Sequence, residues 1–380
     1  MRYSLETLCV HSGTIDDRLT WGTRSPLFPS NSHKHLVAQE DLYPRHSNVA
    51  NQRAVAEKLR DLEQGEKALV FSSGMAAIST ALLSHLRHGD HLIMQKGIYS
   101  GTFRFAANHL PKIGVEVSLV AGSKRDDFLS QMRPNTRAIY IETPTNPLLE
   151  VLDIEMIAEV AALHGLTTFI DNTIATPINQ TPIRYGIDIV LHSATKFLGG
   201  HGDITAGVAI GSESHILPMI EYVNDFGGCL NPQTCHLLER SLLTLAIRMA
   251  KVNENAMKLA VLLNEHPSVT AVHYPGLTSH PSHEVAKRQM AGFGGVLSFE
   301  LDPRIDVTAF QNRLKLVVPA NSMGEATTTL NSPFQASTSF RSLVAEQRRN
   351  VDVSHQLIRM SAGIEGFDDL SLDLLQALAP

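Results

Sequence analysis

Cysteine is scarce. The 380 residues hold three, Cys9, Cys229 and Cys235. Three cannot build a disulfide framework, so a reducing cytoplasm is the default compartment. No apolar run approaches the roughly 20 residues of a membrane span, and the N-terminal MRYSLETLCVHSG has no apolar signal-peptide core. Strong charge of one sign is missing too. A net charge of −6 gives no reason to expect nucleic acid or an anionic membrane as partner. The 18 histidines include no pair at zinc spacing with a third ligand. No G-x-G-x-x-G follows an apolar strand, which leaves a nicotinamide-binding reading unsupported.

What is present is an ordinary globular composition, 43% hydrophobic and 18% charged. A chain of this length buries a substantial core and predicts more than one domain. Apolar runs at 68–71, 90–95, 115–120, 137–142, 167–171 and 187–191 read as strands. Helical spacing separates several of them, as in Val55, Leu59 and Leu62, a helix predicted to stop at Gly65. Alternation at this spacing predicts a mainly parallel, doubly wound sheet. Residues 1–50 show little helical periodicity and read as an extended arm that needs another surface to order it. Residues 51–250 form the predicted large domain. A long helix over 233–265 leads into a smaller α+β domain, 251–380, with strands at 269–273 and 295–301 and helices at 307–314 and after 368.

Chemistry-bearing residues cluster at the ends of these strands. The run IDIVL ends in His192-Ser193-Ala194-Thr195 and then a single lysine, Lys196. A lysine just past a buried strand loses its proton more readily and can attack a carbonyl to form a Schiff base. By itself it reads as well as a surface lysine in a turn. Ser193 and Thr195 beside it can donate to a phosphate. Upstream, another apolar strand ends in Asp171, at the side of an α/β sheet where ligands sit, although a helix cap explains a lone aspartate equally. A strand, then Ser72-Ser73-Gly74-Met75, then a helix makes an anion site from backbone amides. Tyr43 and Arg45, two apart in extended chain, point the same way and make a phosphate clamp.

Together, DNT at 171–173 and SATKFLGGHGD at 193–203 resemble the trans-sulfuration, or Cys/Met metabolism, family of PLP-dependent enzymes. The resemblance runs from about residue 5 to 375. It implies the aspartate-aminotransferase-like fold, PLP fold type I, with a seven-stranded type of sheet, and pyridoxal 5'-phosphate (PLP) as cofactor. By that resemblance Lys196 carries the cofactor, Asp171 faces its ring nitrogen, and the phosphate sits on Gly74, Met75, Ser193 and Thr195. Tyr43 and Arg45 reach the neighbouring subunit's phosphate, so the protein is a homodimer or homotetramer with shared sites. Tyr99 stacks on the ring and is the candidate acid for a group leaving Cγ. Arg359, Ser322 and Asn146 take the amino-acid substrate, with Arg359 on its carboxylate.

The sequence also departs from the family. Val49 replaces the usual proline after the clamp, Gly101 stands where methionine γ-lyases carry cysteine, Asn321 where cystathionine γ enzymes carry glutamate, and Ser339 where histidine is usual. The reading favours γ-elimination from a sulfur- or oxygen-substituted amino acid, giving a 2-oxo acid and ammonia. γ-Replacement of the cystathionine γ-synthase or O-acylhomoserine sulfhydrylase type and β-elimination of the cystathionine β-lyase type are the alternatives. A non-catalytic relative that keeps the fold for binding is the reading from a different class.

Overall fold

The computed structural model describes residues 3–38, 40–336 and 354–379; Ser339 lies outside them. The alternating pattern folds as seven strands: β1 Lys67–Phe71, β2 His91–Gln95, β3 Glu116–Val120, β4 Thr136–Glu142, β5 Thr167–Asp171, β6 Ile189–Ser193 and β7 Gly207–Gly211. They lie in the order β1-β7-β6-β5-β4-β2-β3. From β3 to β6 every pairing is parallel, while β7 runs antiparallel to both of its neighbours. Strands covered on both faces read as near-continuous apolar runs, and all five residues of β2 are buried. One face packs on helix Gly74–His85 through Met94, Tyr140, Phe169 and Leu191. The other packs on helix Ile154–His164 through Ile93, Ile139, Ile141 and Ile170.

A second sheet follows: β8 Val269–His273, β9 Val296–Leu301, β10 Val318–Pro319, β11 Thr329–Asn331 and β12 Leu357–Ser361, in the order β10-β11-β12-β9-β8. Only its β10–β11 pair is parallel. Helix Leu245–Asn264 packs Leu259, Leu263 and Met249 into the core shared with this sheet. The expected boundary at 250 falls inside that helix. Among the described residues no helix is long and apolar enough to cross a membrane.

Four local expectations are corrected. The N-terminal arm contains a helix, Leu5–His11, capped by the Ser4 hydroxyl and anchored by buried Cys9. The helix over 50–63 ends on Gln64, which takes the left-handed position at φ 61°. Gly65 has a different task, because a Cβ there would stand 2.5 Å from Ile210 Cγ2. The single helix over 233–265 is two, Pro232–Leu242 and Leu245–Asn264. Tyr43 and Arg45 are not an extended pair. Pro44–His46 forms a 3-10 turn, and Arg45 stacks over the Tyr43 ring at 5.5 Å.

Candidate active site

Three parallel strands, β4, β5 and β6, deliver the candidate groups at their carboxyl ends, as expected for ligand sites in open α/β sheets. Just past β6 the chain coils into a tight turn, with Lys196 N–H bonded to the Ser193 carbonyl at 3.2 Å and Gly200 N–H to the Lys196 carbonyl at 2.8 Å. Arg248, buried on helix Leu245–Asn264, clamps this turn. Its guanidinium donates to the carbonyls of Phe197 (2.7 Å), Leu198 (3.4 Å) and Ser241 (3.0 Å). Gly200, at φ +67°, leaves room for it, since a Cβ there would lie 2.0 Å from Arg248 Nη1. The Lys196 amine is turned to the second sheet's side of the cleft and donates to Ser322 Oγ at 3.3 Å. Burial lowers its pKa, the nearby Arg359 charge lowers it further, and Glu325 opposes both.

Asp171 ends β5 at 6% exposure, and its Oδ1 accepts from Thr173 N–H at 3.0 Å. Burial raises its pKa, against the Thr173 hydrogen bonds and the charge of His192. Beneath it, Glu63 Oε1 accepts from Asn172 Nδ2 at 2.8 Å and pairs with His192 Nε2 at 2.7 Å. This buried set flanks Asp171 and Ser193 on the strand backbones.

Helix Gly74–His85 opens beside β6. Ser73 caps it by accepting from Ala76 N–H at 3.1 Å, which leaves the amides of Gly74 and Met75 at the open end of the helix dipole. Gly74 is required by contact: a Cβ there would meet Ser193 Cβ at 2.9 Å. The two hydroxyls expected beside the lysine differ. Thr195 Oγ1 is engaged with Ala206, donating to its carbonyl at 3.2 Å and accepting from its N–H at 3.1 Å. Ser193 Oγ stays at the helix opening, 3.1 Å from the position a Gly74 Cβ would take.

Tyr99 caps helix Ser100–Asn108, and its N–H donates to Glu142 Oε2 at 2.7 Å. Its ring, part of a residue 42% exposed, folds back over Gly101. A Cβ at 101 would fall 2.4 Å from Tyr99 Cε1. The missing side chain at 101 therefore gives the ring its place.

From the second sheet, Arg359 on β12 is 8% exposed and reaches Asn146 Oδ1 (3.5 Å) and the carbonyls of Asn321 (3.2 Å) and Ser322 (3.1 Å). Its Nε has no partner, and no carboxylate pairs with it among the described residues. Burial pushes its pKa down to about 10. Asn321 turns its side chain to Asn331, whose Nδ2 donates to it at 3.3 Å. The structure thus brings Lys196, Ser322, Asn146 and Arg359 together. Asp171, Gly74, Ser193 and Tyr99 ring the same strand ends. Tyr43 and Arg45 stand apart, with Arg45 donating to the Asn224 carbonyl of its own chain.

Residues 6–379 match the family described as Cys/Met metabolism PLP-dependent enzyme. The chain belongs to this family. It is 40% identical over 376 residues to a cystathionine γ-lyase of Bacillus subtilis (strain 168), covering 98% of each chain. It is also 40% identical to a cystathionine β-lyase of Lactococcus lactis subsp. cremoris (strain MG1363), covering 99% of each. Among solved structures, a cystathionine γ-lyase from Lactobacillus plantarum complexed with L-serine superposes at TM-score 0.93, with 34% identity over 99% of this chain and 98% of that one. The protein is therefore a PLP-dependent enzyme of the trans-sulfuration family with PLP fold type I.

The residues present fit that cofactor. An open helix end over Gly74 suits a phosphate, a buried acid at Asp171 suits a protonated ring nitrogen, and a depressed lysine amine suits an aldehyde. Sequence reasoning missed Glu142, Arg248, Glu325 and the Glu63–His192–Asn172 set. Glu142 carried the same signal as Asp171, an acid closing an apolar strand. Arg248, Glu325 and Glu63 are joined to the site only by long-range contacts, while Asn172 and His192 adjoin Asp171 and Ser193 in the chain.

Proposed function

We propose that this enzyme eliminates a sulfur- or oxygen-linked group from Cγ of an amino acid, releasing a 2-oxo acid and ammonia. The observation that carries the substrate class is Arg359, a buried guanidinium without a carboxylate partner among the described residues. An unpaired buried charge is costly, and a planar fork with a free Nε is suited to an incoming carboxylate. Asn146 and Ser322 border that position.

Pyridoxal phosphate, bound on Lys196, supplies an electron-poor ring that draws charge from the substrate's Cα. The chain's own groups do the rest. Gly74 and Met75 amides and the Ser193 hydroxyl hold the phosphate, with Thr195 bracing the lysine turn on Ala206. Asp171 keeps the ring nitrogen charged. Lys196, as its neutral amine and steered by Ser322, would take the Cα proton and return it further along the substrate. Tyr99, seated on Gly101 at the mouth, donates a proton to the departing group. Tyr43 and Arg45 complete the partner subunit's phosphate site, which makes a dimer the smallest active unit and a tetramer of two dimers compatible with it.

The Cγ choice is supported by likeness to a named γ-lyase and by Asn321. The Asn321 side chain places no negative charge where a distal ammonium would sit, which favours a short neutral leaving group over cystathionine. Equal identity to a named β-lyase supports β-elimination as the second reading. The test is a panel of methionine, cystathionine, homocysteine, cysteine and O-acyl homoserines, assayed for 2-oxobutanoate and pyruvate with and without added thiol. 2-Oxobutanoate without thiol is expected; pyruvate alone, or product only with thiol, overturns the proposal.

A further inference from the structure

β4 and β5 run parallel and finish together, with Glu142 and Asp171 as Cα partners at their ends. Register partners in neighbouring parallel strands present their side chains on the same face, about 5 Å apart. Both residues are buried, at 5% and 6% exposure. Two carboxyls therefore share one water-poor corner, and no lysine or arginine pairs with either among the described residues. The other ionisable groups near them are Tyr140, two residues back on β4, and His192 on β6. Like charges this close in such surroundings do not both ionise.

The two acids are not equivalent. Asp171 receives the Thr173 amide at 3.0 Å and feels His192, both of which favour its charged form. Among the described residues Glu142 receives only the Tyr99 amide, at 2.7 Å, and burial together with Asp171 pushes its pKa well up. Its own N–H donates to Gln95 Oε1 at 3.0 Å. Glu142 thus joins the end of β2, the start of the Tyr99 helix and the acid on β5. With Oε2 committed to Tyr99, a proton belongs on Oε1.

We propose that Glu142 is a positioning residue that stays protonated while Asp171 is charged, holding Tyr99 to the strand end as a neutral acid. The proposal rests on the reading in which Asp171 faces the ring nitrogen and Tyr99 the leaving group. A charged ring nitrogen would compensate Asp171, and no cation among the described residues compensates Glu142, so the proton remains where the field is least relieved.

The test uses holoenzyme labelled with 13C-glutamate. Infrared difference spectra of the wild type against Glu142→Gln at neutral pH should show a buried carboxylic-acid carbonyl band that the variant lacks. Gln at 142 keeps a neutral acceptor for the Tyr99 amide, so cofactor retention and kcat should stay within about tenfold of wild type. Glu142→Ala, which loses the tether, should lower kcat by about 10- to 100-fold. A wild type without the band, or a band unchanged in Glu142→Gln, overturns the proposal. Should Glu142→Gln fail to fold, Glu142→Asp must abolish the glutamate band. Failure of the underlying reading is separate: Asp171→Asn would then retain cofactor normally, whatever the Glu142 band shows.

Discussion

Lys196 and Ser322 meet across the cleft, amine to hydroxyl at 3.3 Å, so the lysine of the seven-stranded sheet is aimed by a loop of the five-stranded one. That loop is pressed onto the lysine itself. At Gly324, φ +81°, a Cβ would lie 2.5 Å from Phe197 N and 2.9 Å from the Lys196 carbonyl carbon. The same loop gives its Ser322 carbonyl to Arg359 at 3.1 Å, so the proposed substrate clamp and the proposed reactive amine share one support.

Arg359→Leu should therefore act twice. Loss of the charged fork costs about 1.5–3 kcal/mol of carboxylate binding, which is on the order of a 10- to 100-fold rise in KM. The Arg359 charge also disfavours the ammonium form of Lys196. Removing it raises the lysine pKa, so the pH midpoint for cofactor attachment to apo-protein should move upward. Stopped-flow reconstitution across pH checks this; a midpoint that stays put or falls would show that the two groups are not electrostatically linked.

Gly101 offers a split between stability and activity. Glycine inside a helix costs roughly 0.5–1 kcal/mol relative to alanine, so Gly101→Ala should hold or raise Tm. The new Cβ must displace the Tyr99 ring, so kcat should fall. Unchanged kcat would mean the ring's place over Gly101 is catalytically idle.

Arg248→Met is expected to destabilise by about 3–5 kcal/mol, because it leaves the Phe197 and Leu198 carbonyls without their buried donor, the Ser241 carbonyl keeping Thr244. Both carbonyls belong to the residues after Lys196, so cofactor retention should drop with it. Denaturant titration and gel filtration with absorbance at the cofactor band measure the two effects. A stable, fully loaded variant would remove Arg248 from the account of the lysine turn.

The proposed sharing of sites between subunits predicts complementation. Lys196→Ala and Arg45→Ala should each be poorly active as pure oligomers. Mixed after subunit exchange, they should recover activity neither has alone, since one site in a hybrid dimer then carries both intact residues. No recovery in verified hybrids would confine Arg45 to its own chain.

The legible part of this enzyme was local. Lys196 and Asp171 could be read because a polar residue closing an apolar strand is visible within a few residues. The helix Leu5–His11 escaped because seven residues in a polar arm give too little periodicity; packing of Cys9 holds it. The break at Leu243–Thr244 carries no glycine or proline, and the Ser241 carbonyl is taken by Arg248 from the next helix. Pro44 opens a 3-10 turn where extended chain was expected. Glu142 closes an apolar strand as Asp171 does, but its place beside Asp171 comes from the strand register, which no spacing in the sequence contains.

β1 sits at the sheet edge and its ladder partner is β7, Lys67 lying opposite Gly211. During synthesis that first strand must wait about 140 residues for its neighbour to emerge, a non-local closure of the slow kind. A nascent chain arrested before residue 211 should remain open to proteolysis around 67–71, and protection should arrive abruptly once β7 has cleared the ribosome. The helix opening at Gly74, which follows β1 directly, would then become competent only after β7 has paired with β1, long after its own residues were made.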